Sequence, residues 1–188
     1  MESRFDKALH FAIEAHKDVY RKSSNIPFII HPMEVAVIAS TITEDEDVLI
    51  ACLLHDTVED AGVTLTQIRE LFGERVMSLV AAESENKRRE MLPEDSWVIR
   101  KEESLEELKN TNDRNVKILW LADKLANMRS FYRLYLSKGD DMWLNFHQRD
   151  PKKQEWYYRS IAKYTSDLKD NLAYQEYVDL INKVFEGE

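Results

Sequence analysis

The chain has 188 residues, 44% hydrophobic and 32% charged, with 26 Lys+Arg against 35 Asp+Glu for a formal charge of −9. An acidic balance of this kind supplies little of the attraction that drives nonspecific nucleic-acid binding, and no apolar run approaches the roughly 20 residues of a membrane span. The single cysteine, Cys52, excludes an intrachain disulfide and a thiolate metal cluster, while four Gly and four Pro are few for a turn-rich β-protein.

The N-terminal "MESRFDKALHF" lacks the apolar core of a signal peptide, so the cytoplasm is the expected location. The stretch "SRFDKALHFAIEAHKDVY" sets Phe5, Leu9, Ala12, Ile13 and His16 at helical spacing behind a Ser3 N-cap and predicts a helix ending near "RKSSNIP". "HPMEVAVIASTI" predicts a second helix with Pro32 in its first turn, where a missing N–H costs little. "EDEDVLIACLLHDTVED" predicts a third, acidic at its start and apolar around its middle, hence enclosed by other helices.

Farther on, "TLTQIRELFGERVMSLVAA" predicts two helices broken at Gly73, the first opened by a capping box of Thr64 and Gln67. Residues 83–114 are highly charged, with a helix expected in "SWVIRKEESLEELKN". "NVKILWLADKLANMRSFYRLYL" predicts a long helix stopped by "KGDD", and "DPKKQEWYYRSIAKYTSDL" and "LAYQEYVDLINKVF" complete a single all-α domain over residues 1–188.

On a continuous third helix, His55, Asp56, Glu59 and Asp60 fall within one arc of about 140° at roughly 100° per residue. Acidic residues at a helix end ordinarily form a solvated face. Two further positions point instead to a metal. His31 follows apolar Ile29 and Ile30 at a helix start, and Asp123 sits among Leu119, Trp120, Leu121 and Ala122. A carboxylate buried in an apolar helix asks for a cation or a donor. Asn127 lies one turn later on the same face. Two His and two Asp from separate helices could thus meet at one divalent ion.

The order His…His-Asp…Asp is that of HD-domain metal-dependent phosphohydrolases. "RKSSNIPFIIHP", "ACLLHDTVED", "ELFGERV" and "LADKLANMR", in this order, resemble the hydrolase domain of RelA/SpoT-type alarmone enzymes. With no synthetase or regulatory region in the sequence, the chain is most similar to the stand-alone small alarmone hydrolases. The resemblance implies an HD-domain helical bundle. It implies His31, His55, Asp56 and Asp123 as ligands of Mn²⁺, although imidazole and carboxylate oxygen also suit other divalent transition metals. Glu59 and Asp60 match the acidic pair beside the HD dipeptide, with Glu59 expected as the general base and Asp60 assisting the leaving group.

The implied substrate is guanosine tetra- or pentaphosphate, a small-molecule guanine nucleotide, cleaved at its 3′-pyrophosphate to GDP or GTP and pyrophosphate. Arg21 and Lys22 match the basic pair before the HP motif, and Asn127 matches an amide that contacts the sugar. On looser correspondence, Arg100 and Lys101 would face phosphates, Lys152 and Lys153 would meet the 5′ end, and Trp156 or Tyr157 would stack on the base. A solvated face for the cations and a core role for the aromatics are the alternatives. Ile30 replaces an Asn common before the HP histidine, Trp120 a Lys common before "LAD", and "AAESENKR" only approximates a Thr followed by acidic residues. These departures bear on substrate choice. The rival readings are an HD phosphohydrolase of another nucleotide, such as a nucleoside monophosphate or a phosphorylated dinucleotide like NADPH, and a catalytically silent binding module.

Overall fold

In the computed structural model, residues 3–21, 24–88 and 90–187 are described; Lys22, half of the expected basic pair, lies outside them. The described residues are helical apart from loops and one isolated antiparallel bridge, Tyr20 to Pro27. No described helix is long and apolar enough to cross a membrane. The chain divides into two compact units, Met1–Ser84 and Glu85–Glu188.

The first unit contains α1 (Arg4–Ala15), α2 (Ile30–Ser40), α3 (Glu46–Leu54), α4 (Thr57–Asp60), α5 (Leu65–Phe72) and α6 (Glu74–Glu83). Helix α3 is its centre: α1, α2 and α6 all pack on it, and Val48, Ile50, Ala51, Cys52, Leu53 and Leu54 are all buried. Burying each Leu or Ile here stabilises by about 1.5–3 kcal/mol. Arg4 ties three helix ends together, donating to Glu46 at 3.0 Å, Asp47 at 2.7 Å and the Phe72 carbonyl at 3.0 Å. The Thr64–Gln67 capping box opens α5, and Gly73 at φ +95° makes the break before α6.

Two boundaries differ from the sequence expectation. Helix α1 ends at Ala15 rather than near residue 20, because Asp18 takes φ +60° and the chain then pairs with its own return: Arg21 N–H donates to Ile26 O at 2.9 Å and Phe28 N–H to Val19 O at 2.8 Å. The third helix is not continuous through the acidic motif. Side chains take its last carbonyls, Thr57 Oγ1 donating to Leu54 O at 2.7 Å and His55 Nδ1 bonding Cys52 O at 2.8 Å. The helix stops at Leu54, the His55–Asp56 dipeptide occupies the break, and α4 restarts at Thr57.

The second unit contains α7 (Pro93–Asn110), α8 (Arg114–Lys138), a 3₁₀ helix (Gly139–Asn145), α9 (Pro151–Tyr164), a short 3₁₀ turn (Ser166–Leu168) and α10 (Leu172–Phe185). Helix α8 is its spine, packed by α9, α10 and the first 3₁₀ helix, with Leu119 to Ala126 buried without interruption. At its far end Phe131 packs edge-on against Trp143 and Tyr158, and Trp143 stacks on Phe185.

Candidate metal centre

The break between α3 and α4 turns an apolar rod into a polar tip. His55 is 1% exposed, and its Nδ1 faces the Cys52 carbonyl, an acceptor only, which assigns the ring proton to Nδ1. Nε2 then carries a lone pair, yet it lies 3.1 Å from Asp56 Oδ2. Two acceptors at that distance repel unless a second proton or a metal ion stands between them. His31, at the start of α2 and 4% exposed, brings its own Nε2 to 3.6 Å from the same Asp56 oxygen, with the two imidazole rings 5.4 Å apart. Two imidazoles and a carboxylate directed to one point suit a divalent ion.

Around this point the first unit sets the remaining motif residues. Glu59 is half-buried and Asp60 exposed, both in α4, whose first turn is pinned by Asp60 N–H to Asp56 O at 2.9 Å. Phe28 bridges the basic loop to the histidines: its ring is 5.9 Å from that of His31 and lies 5.8 Å under the Arg21 guanidinium. The loop is thereby held beside α2.

Two side chains that the motifs do not single out also face this point. His16 is 4% exposed, its ring 4.7 Å from that of Phe28, and neither of its nitrogens has a hydrogen-bond partner among the described residues. Burial pushes its pKa down, opposed by the negative charge of Asp56. Glu83, the last residue of α6, is 7% exposed and approaches His55 and Asp56. The signal for Glu83 in the sequence is its place on the i, i+3, i+4, i+7 face begun by Val76, Leu79 and Val80, a face that is otherwise apolar.

The other residues named from the sequence belong to the second unit. Asp123 is 3% exposed in the middle of α8, accepting from Asn127 Nδ2 at 2.9 Å and from Lys124 Nζ; Lys124 also lies over the Trp120 ring at 4.8 Å. Arg100 and Lys101 share Glu85: Arg100 Nη1 donates to Oε1 and Lys101 Nζ to Oε2 at 2.9 Å, and Lys101 lies over the Tyr157 ring at 4.9 Å. Burial pushes the Glu85 carboxyl up, but Lys101 and Arg100 together hold it below its ordinary value. Lys101 is itself pushed down by burial, only partly restored by Glu85. Both expected phosphate-facing cations thus have a resident carboxylate. Lys152, Lys153 and the partly exposed Trp156 line a shallow depression with Val98 and Glu102, while Tyr157 is buried against Trp97.

Comparison with known proteins gives the family and the fold. The guanosine-3′,5′-bis(diphosphate) 3′-pyrophosphohydrolase of Aquifex aeolicus is 36% identical over 126 residues, covering 67% of this chain and 17% of that protein. The chain therefore spans a small part of the curated relatives it matches. The crystal structure of lmo0812 from Listeria monocytogenes EGD-e superposes with a TM-score of 0.72 at 32% identity, covering 83% of this chain and 99% of that one. A metazoan ortholog of SpoT, described as hydrolysing ppGpp, shares the fold with a TM-score of 0.75 at 24% identity, over 97% of this chain and 96% of that one. The HD domain family matches residues 8–144, a span that includes His31, the His55–Asp56 dipeptide and Asp123, and the chain belongs to that family.

Proposed function

We propose that the protein is a metal-dependent phosphohydrolase that removes the 3′-pyrophosphate of guanosine tetra- or pentaphosphate, releasing GDP or GTP and pyrophosphate. The observation that carries the reading is the meeting of His31 Nε2, His55 Nε2 and Asp56 Oδ2 at one point, the His55 nitrogen presenting a lone pair on its assigned tautomer. The similarity to the Aquifex aeolicus pyrophosphohydrolase supports the substrate.

His31, His55 and Asp56, with Asp123 as the fourth ligand, would hold a divalent ion, for which Mn²⁺ is our assignment. When bound, such an ion acidifies water and neutralises charge on a phosphoryl oxygen. The half-buried Glu59 carboxylate orients the attacking water and takes its proton. The exposed Asp60 assists departure of the leaving oxygen. Arg21 supplies positive charge to the pyrophosphate in a chain whose net charge is −9. Asn127 contacts the sugar, Arg100 and Lys101 exchange part of their bonding to Glu85 for phosphate oxygens, and Lys152 and Trp156 meet the 5′ end and the base.

A panel of phosphorylated nucleotides incubated with Mn²⁺ tests this, reading pyrophosphate against orthophosphate. Pyrophosphate from ppGpp is the expected result. Orthophosphate from a nucleoside monophosphate or from NADPH would move the protein to another HD phosphohydrolase activity, and no product from any substrate would leave a binding module.

A further inference from the structure

We infer that Glu83 is an additional carboxylate ligand of the divalent ion held by His31, His55 and Asp56. The inference rests on the metal-site reading above and extends it to a residue outside the His…His-Asp…Asp set.

The argument begins with the helix. In α6 the buried positions are Val76, Leu79, Val80 and Glu83, so a carboxylate occupies the fourth place on a face that packs against α3. That place favours a nearby cation, because Glu83 is the last residue of the helix, where the terminal carbonyls add partial negative charge to its own. The end is also fixed: Ser84 donates to the Val80 carbonyl from both its N–H, at 3.1 Å, and its Oγ, at 2.8 Å. Glu83 therefore has little freedom to swing toward solvent by fraying of the turn.

Its direction completes the argument. One ligand atom each from His55, Asp56 and Glu83 lies within 4.8 Å of the other two. Ligand atoms about 2.2 Å from one ion are separated by about 3 Å when adjacent and about 4.4 Å when opposite. The observed cluster is within a small side-chain adjustment of that geometry. Two carboxylates this close repel each other, so the arrangement is favourable when a cation lies among them. An added carboxylate also shifts the donor set toward harder oxygen ligands, which favours Mn²⁺ over Zn²⁺ in relative terms.

The test is Mn²⁺ binding to the purified full chain, measured by titration calorimetry and by metal content after dialysis against a fixed Mn²⁺ concentration, with thermal melting in the absence and presence of Mn²⁺. Glu83→Gln, which keeps the shape, should weaken Mn²⁺ binding at least about tenfold, the scale on which loss of a group supporting a metal site is felt. Glu83→Leu removes the ligand oxygens altogether, so the Mn²⁺-induced increase in melting temperature should shrink. Mn²⁺ affinity unchanged in Glu83→Gln, with the parent binding normally, overturns the inference and leaves the metal-site reading intact. A metal-free melting temperature that falls in both variants, with unchanged affinity, likewise overturns it and marks Glu83 as a structural ion-pair residue. A parent chain that binds no Mn²⁺ overturns both readings together.

Discussion

Thr57 Oγ1 donates to the Leu54 carbonyl at 2.7 Å, and that bond closes the break on which His55 and Asp56 stand. Thr57 is fully buried, so the shape-conserving Thr57→Val leaves the carbonyl without this donor and should cost about 1–3 kcal/mol of stability. Because the dipeptide loses its brace, Mn²⁺ affinity should fall as well. Urea unfolding and metal titration of the same variant check both parts; a change in stability with unaltered affinity would show that the break does not orient the ligands.

Asp56 offers one oxygen to both histidines. Asp56→Ala should lose Mn²⁺ binding and hydrolysis together, measured by metal content and by pyrophosphate release, while helical content by circular dichroism stays near that of the parent. Asp123→Asn should behave in the same way if that side chain is the fourth ligand.

Removing the proposed general base should separate metal binding from chemistry. Glu59→Gln should retain Mn²⁺ and slow turnover by about 10²–10⁴-fold, the usual contribution of a positioned base. Full activity in this variant would reassign the role to Asp60.

Glu85 gives a pH-dependent prediction. Its folded-state pKa is depressed below the ordinary carboxylate value by Lys101 and Arg100, so the unfolded chain holds its proton to higher pH than the folded one. The stabilising contribution is complete above about pH 4.5 and is lost as pH falls through the lower folded value. Glu85→Gln should therefore destabilise the protein at pH 7, and the difference from the parent should close on acidification toward pH 3 in denaturant titrations.

Arg21, held over Phe28, is assigned to binding rather than to chemistry. Arg21→Ala should raise KM with little change in kcat, and steady-state kinetics at saturating Mn²⁺ separate the two; a pure loss of kcat would contradict the assignment.

Much of the architecture was legible in the sequence because it depends on neighbours along the chain. The Thr64–Gln67 capping box, the Gly73 break, the apolar α3 and the extent of α10 follow from local periodicity and turn chemistry. The interruption at His55–Asp56 was not legible, because it is decided by two side chains competing with the helix for the carbonyls of Cys52 and Leu54. The early end of α1 was hidden for a related reason: residues 17–20 are acceptable in a helix, and only pairing with the strand-like return at Ile26–Phe28 draws them out of it. Residue types identified His31, His55 and Asp56 as a group. Glu83 escaped notice because it lies in a charged stretch of sequence, and its burial becomes visible only when α6 is laid on α3.

The contact between Asp123 and Lys124 has a bearing on how such a protein comes into being. Neighbouring residues in one helix supply each other's countercharge, with Asn127 completing the carboxylate's bonding, so burial of Asp123 is compensated within the second unit itself. Folding of that unit then needs no added cation for Asp123, unlike small zinc modules that stay unfolded until their ion arrives. Chelator-treated protein should therefore keep the helical content of the parent by circular dichroism.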